Sequence, residues 1–195
     1  MDIDLTKIAT ILENPTDENA LYYLKSKLTN KSQCSLFINY LINNQRLING
    51  ENIHTIILLV HDIMINDGIV IQESYPFLLS LIFEEHSCNV SISYKYVEVL
   101  LAIKGDINMV FEDIFTKASH ENVSNVLVSL FCLYGLPEKI NDELISNYSR
   151  EVILKCASKN KSSQILEQAV ALYLKPLIKD YSLLKQLDEI FYKNG

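Results

Sequence analysis

Two histidines, His54 and His61, stand seven residues apart in an apolar stretch, about two helical turns apart on one face. A metal-binding pair on a helix takes positions i and i+4, and no cysteine or carboxylate cluster completes a set here. Both histidines therefore read as core or groove residues, and no metal is expected. His86 and Cys88 have the residue types of a nucleophile and its base, but no motif around them supplies the rest of such a site. Glu84-Glu85 and Glu112-Asp113 are carboxylates adjacent in sequence; neighbouring helix residues point in different directions, which argues against paired acid/base work. The glycines Gly50, Gly68, Gly105, Gly135 and Gly195 fall at segment boundaries and build no phosphate-cradling loop. The expectation is a chain that is not an enzyme, with no catalytic residues and no cofactor.

Cys34, Cys88, Cys132 and Cys156 are spread with no Cys-x-x-Cys pair, and at least three read as small apolar filler. The formal net charge is −7, with 24 acidic against 17 basic residues. A phosphate backbone demands clustered lysine and arginine, so direct nucleic-acid binding is not expected. The chain opens Met1-Asp2-Ile3-Asp4 with no basic n-region, and the apolar stretch Ile53–Ile65 is short of a membrane span and carries His54, His61 and Asp62. An intracellular location, cytoplasmic or nuclear, with no membrane association is the expectation.

The elements that would carry these residues read as helices throughout. Hydrophobic residues make up 49% of the 195, against only 5 Gly and 4 Pro, which favours long helices over many short strands. Leu5, Ile8, Ile11 and Leu12 share one side of a helix capped by Asp4 or Thr6 and broken at Asn14-Pro15. Thr16 starts a second helix and Ser32 a third. From 51 to 66 the chain is apolar almost all round, the pattern of an interior helix, and Asp67-Gly68 ends it. Further helices are predicted over 74–85, 91–104, 107–118, 123–134, 138–147, 150–158, 163–178 and 181–193. Ser149 opens the helix at 150, and Pro176 kinks or ends the helix over 163–178 unless it opens the following one.

The chain also repeats itself. Ile114–Leu127 laid on Ile153–Leu166 matches at Ile114/Ile153, Ala118/Ala157, Ser119/Ser158, Ser124/Ser163 and Leu127/Leu166, and an earlier echo begins at Ile82-Phe83. A period of that size in a helix-forming sequence marks an α-solenoid. Ile114–Gly135 and Val152–Leu174 follow the order of an armadillo repeat: a Leu/Ile-rich helix, a Ser/Asn turn, and a long inner helix centred on Ser129-Leu130 or Ala171-Leu172. Leu81–Gly105 is a looser copy. Over about 51–180 the chain resembles armadillo or HEAT repeats, which implies an all-α fold: a short right-handed α-solenoid with helical caps. The single domain 1–195 would comprise an N-terminal helical cap (1–50), repeats (51–178) and a C-terminal capping helix (179–195). Armadillo proteins that bind extended peptides line the groove with asparagines; here Ala102, Cys132 and Leu174 take those places, and there is no Trp. Recognition of nuclear signals through that ladder is therefore not expected.

The resemblance implies an adaptor or scaffold that docks a peptide segment or helix of a partner protein along stacked inner helices. Lys95, Glu98, Asn125, Ser129, Gln164 and Gln168, polar or small residues on predicted inner helices, are the candidate partner-binding groove. Two alternatives stand beside it: a co-chaperone or assembly factor that clamps a folded domain, and a structural subunit that associates with its own copies into a homo-oligomer.

Overall fold

The computed structural model describes residues 3–84, 90–117, 122–136, 139–157 and 164–191, apart from the side chains of 155–157 and 164–166. Among these residues the structure is helical and no strand occurs. No helix among them is long and apolar enough to cross a membrane. The chain divides into two compact units, Met1–Gly105 and Asp106–Gly195.

The first unit holds α1 (Leu5–Glu13), α2 (Glu18–Lys27), α3 (Lys31–Asn43), α4 (Ile53–His61), α5 (Tyr75–Leu81) and α6 (Val90–Lys104). Short polar side chains start the helices by accepting from amides that have no intrahelical partner. Asp4 takes the Thr6 N–H, Asp17 the Ala20 N–H, and Asn30 the Gln33 N–H. The second and third helices thus begin at Asp17 and Asn30, not at Thr16 and Ser32, because those side chains reach an amide two or three residues on.

Within this unit α1 lies against α2 and α3, and α6 lies against α4 and α5. Two contacts lay α2 along α4 in the same direction. Thr55 Oγ1 donates to the Pro15 carbonyl at 3.2 Å near one end, and Lys25 Nζ meets Asp62 Oδ2 at 3.1 Å near the other. Gln45, just past α3, donates to Ser80 on α5 at 3.3 Å. Helix α4 thus contacts both α2 and α6, and the turn after α3 meets α5. Ile56, Ile57, Val60, Val97 and Leu100 are buried in this packing.

The apolar stretch predicted as one helix over 51–66 changes character partway. After His61 it widens into a π turn, Asp62–Asn66, in which the Asp67 N–H reaches the Asp62 carbonyl at 2.9 Å. Gly68, at φ +69, then lets the Ile69 N–H close on the Ile63 carbonyl at 2.9 Å. A left-handed residue of this kind is how glycine ends a helix without strain.

The second unit holds α7 (Ile107–Lys117), α8 (Val123–Tyr134), α9 (Asp142–Ala157), α10 (Gln164–Ala169) and α11 (Tyr181–Phe191). Here α7 packs on α8 and α9, α9 on α11, and α8 on α10 and its continuation. Helices α7 and α9 are parallel. The Asn141 N–H donates to Asn108 Oδ1 at 3.0 Å where both begin, and further along Tyr148 meets Phe111 and Phe115 edge-on at 5.8 and 5.0 Å between centroids. Lys179, just before α11, bonds Asp142 at 2.6 Å, so α11 starts beside the same end. Ile114 and Ile153, paired by the sequence repeat, are both buried, on α7 and α9.

Two predicted boundaries differ. Helices expected over 138–147 and 150–158 are one helix, α9; Ser149 lies in its interior, and its hydroxyl donates back to the Ile145 carbonyl at 2.7 Å instead of capping a new helix. The helix expected over 163–178 is α only to Ala169. It widens to a π turn, Val170–Leu174, with the Lys175 N–H on the Val170 carbonyl, and then tightens to a 3-10 turn, Lys175–Leu177. Pro176 has no N–H to offer the carbonyl four residues back and its ring crowds that carbonyl, so an α-helix cannot run through it.

Candidate functional site

The predicted groove residues do not share one environment. On α6, Lys95 is half-buried and Glu98 is half-buried and bonded to His61. On α8, Asn125 and Ser129 are buried, and Ser129 Oγ finds no hydrogen-bond partner among the described residues. Gln168 on α10 is exposed, while the side chain of Gln164 lies outside the described residues. Of the three positions matched to the armadillo asparagines, Ala102 is exposed whereas Cys132 and Leu174 are buried.

His54 and His61 part company as well. His54 is exposed, and His61 is buried with Nε2 at 2.9 Å from Glu98 Oε2 and Nδ1 unpartnered among the described residues. At the junction where α4 becomes a π turn, one residue therefore faces α6 (His61) and the next faces α2 (Asp62). His86, Cys88 and Glu85 lie outside the described residues, as does the side chain of Cys156. Cys34 and Cys132 are buried free thiols. Desolvation pushes the Cys132 thiol up to about 12 and, with the charge of Asp67 as a second cause, Cys34 up to about 11. Neither is a ready nucleophile, since thiol chemistry runs through the thiolate.

Two surface features fell outside the predicted set. The first is a cleft of about 330 Å³ in the first unit, between α2 and the π turn after α4. Lys25 and Leu28 form one wall, and Leu59, Asp62, Ile63, Asn66 and Asp67 the other. Asp62 holds Lys25 on one oxygen and accepts from Asn66 Nδ2 at 2.9 Å on the other. Nothing in the local sequence announces this cleft, because it depends on a π turn that widens the helix at one place.

The second is aromatic and lies in the second unit. Phe131 on α8 and Tyr173 in the π turn after α10 bring their rings to 5.2 Å between centroids. Phe131 is 40% exposed and Leu172, next to Tyr173, 60% exposed. Helix α8 is buried almost all round, at 123, 125–130, 132 and 133, and Phe131 is its one exposed residue, which helical spacing alone does not single out.

No protein-family model matches the chain, and neither a curated protein nor a solved structure matches it.

Proposed function

We propose that the chain is a non-enzymatic adaptor: a short right-handed α-solenoid of armadillo- or HEAT-like repeats that docks an apolar segment of a partner protein on α8 and the π turn after α10. The contacts of α4 with α2 and α6 and the parallel run of α7 and α9 favour a helical-repeat reading. The observation that carries the docking assignment is the pairing of Phe131 with Tyr173 beside an exposed Leu172. Single exposed apolar residues are ordinary, but an aromatic pair with an aliphatic neighbour matches the anchors that dominate protein interfaces. Gln168, one of the predicted groove residues, is exposed about one turn before Leu172 and is included in this proposed surface. An amphipathic helix or apolar strip is the occupant such a surface suits.

The test is affinity capture with Phe131→Ser and Leu172→Ser chains, each checked for an unchanged melting temperature. The partner recovered by the parent chain should be lost by both. Equal recovery sinks the reading, and recovery of the chain's own copies as the major partner turns it toward the self-associating subunit.

A further inference from the structure

The cleft between α2 and the π turn after α4 carries an inference that rests on the adaptor reading and deepens it. We infer that this cleft takes a lysine or arginine side chain of the partner polypeptide, its alkyl stem along Leu28 and Ile63 and its cationic head on Asp62 and Asp67.

The charge of the lining sets the sign of the occupant. Two carboxylates, Asp62 and Asp67, face one ammonium, Lys25, so the cleft keeps a net negative charge. The whole chain carries −7, which steers cationic partners toward it at a distance. The protein already demonstrates the chemistry: the Lys25 ammonium sits 3.1 Å from Asp62, an alkylammonium on this carboxylate. That pair is loose. Its side chains are 59% and 38% exposed, and an exposed ion pair contributes little, so an incoming cation can share or replace it. The field of Asp67 reaches inward as well, where it adds to burial in raising the Cys34 thiol.

Size and shape set the rest. A cleft of about 330 Å³ stands at the small end of ligand pockets, which run from roughly 300 to 1,000 Å³. It has room for one long side chain. Leu28, Leu59 and Ile63, each almost fully buried, give the stem a narrow apolar floor, and the amphipathic form of lysine and arginine matches an apolar floor with a charged mouth. The cleft opens to solvent along a helix flank, so a side chain can enter while its backbone stays on the surface.

The experiment uses the full ¹⁵N-labelled chain and two probes, N-acetyl-arginine methylamide and its neutral isostere N-acetyl-citrulline methylamide. The arginine probe should give saturable shifts of the Asp62, Asn66 and Asp67 amides, with citrulline weaker by about tenfold or more. Asp67→Asn should weaken the arginine probe about tenfold. Lys25→Met, which removes the resident ammonium, should tighten it by about threefold. Opposite effects from two variants in one cleft are not what partial unfolding produces. An equal response to citrulline, no effect of Asp67→Asn, or weakening by Lys25→Met overturns the inference. Tighter and saturable binding of spermidine than of the arginine probe overturns the polypeptide assignment in favour of a free amine. If Phe131→Ser loses the captured partner and Asp67→Asn retains it in full, the adaptor reading survives and the cleft inference falls.

Discussion

The side-chain amide of Asn52 donates to the Leu12 carbonyl at 2.8 Å, joining residues 40 apart in sequence inside the first unit. The same amide donates to the Leu47 carbonyl at 2.8 Å, and Asn52 Oδ1 accepts the Asn49 N–H at 3.0 Å. One fully buried side chain thus satisfies the end of α1, the turn after α3 and the start of α4. Buried carbonyls have few other partners, and leaving one unpaired costs roughly 1–3 kcal/mol. Asn52→Ala should therefore destabilise by about 3 kcal/mol, since two carbonyls and an amide lose their partner together. Hydrogen exchange by mass spectrometry should show faster opening across Met1–Gly105, with Asp106–Gly195 little changed.

A proline at position 149 discriminates between one helix and two. Were Ser149 at the start of a helix, proline would be tolerated there. In the interior of α9 it removes a ladder bond and clashes with the Ile145 carbonyl. Ser149→Pro should cost about 3 kcal/mol or more, and Ser149→Ala should be near neutral or slightly stabilising. Chemical denaturation followed by circular dichroism measures both.

The Phe131–Tyr173 contact should be worth more than its separate parts. Edge-tilted aromatic pairs couple by about 0.5–1.5 kcal/mol beyond area burial. A double-mutant cycle of Phe131→Ala and Tyr173→Ala on denaturation free energy should return a coupling in that range, and zero coupling would mean the rings are not held together in solution.

The buried thiols predict a loss of stability in alkali. Their folded values, about 11 for Cys34 and about 12 for Cys132, stand above the ordinary 9.0. The unfolded thiols ionise first, so their contribution is whole below pH 9 and is lost as pH rises toward 11 and 12. The decline in urea midpoint over that window should be smaller in a Cys34→Ala/Cys132→Val chain. In a Cys88→Ser/Cys156→Ser background, the two remaining thiols should resist a disulfide reagent at pH 8 until denaturant is added.

The pair His61–Glu98 gives a further check on the α4–α6 contact. Glu98→Ala removes the carboxylate partner of a buried imidazole, which should cost about 1–3 kcal/mol. Glu98→Gln keeps a hydrogen-bonding oxygen in place and should recover part of that loss in the same melting experiment.

Much of the architecture is local information. Apolar spacing along Leu5–Leu12, the breaks at Pro15 and Gly105, and the caps Asp4 and Asp106 are enough to mark helices, since each signal acts within about one turn. Ile114 and Ile153, which the sequence repeat pairs, are both buried, on α7 and α9. The proposed binding surfaces were not legible in the same way. A polar residue on an inner helix looks available from its type, yet Asn125 and Ser129 are covered by the packing of α8, while Phe131 of the same helix is left half in water. Burial is a property of neighbours supplied by other helices, and no window of residues contains them. The cleft beside Asp62 shows this most clearly. Its charges come from two helices, and its width depends on where a helix loosens by one residue per turn, an outcome of long-range packing that the letters from 62 to 67 do not announce.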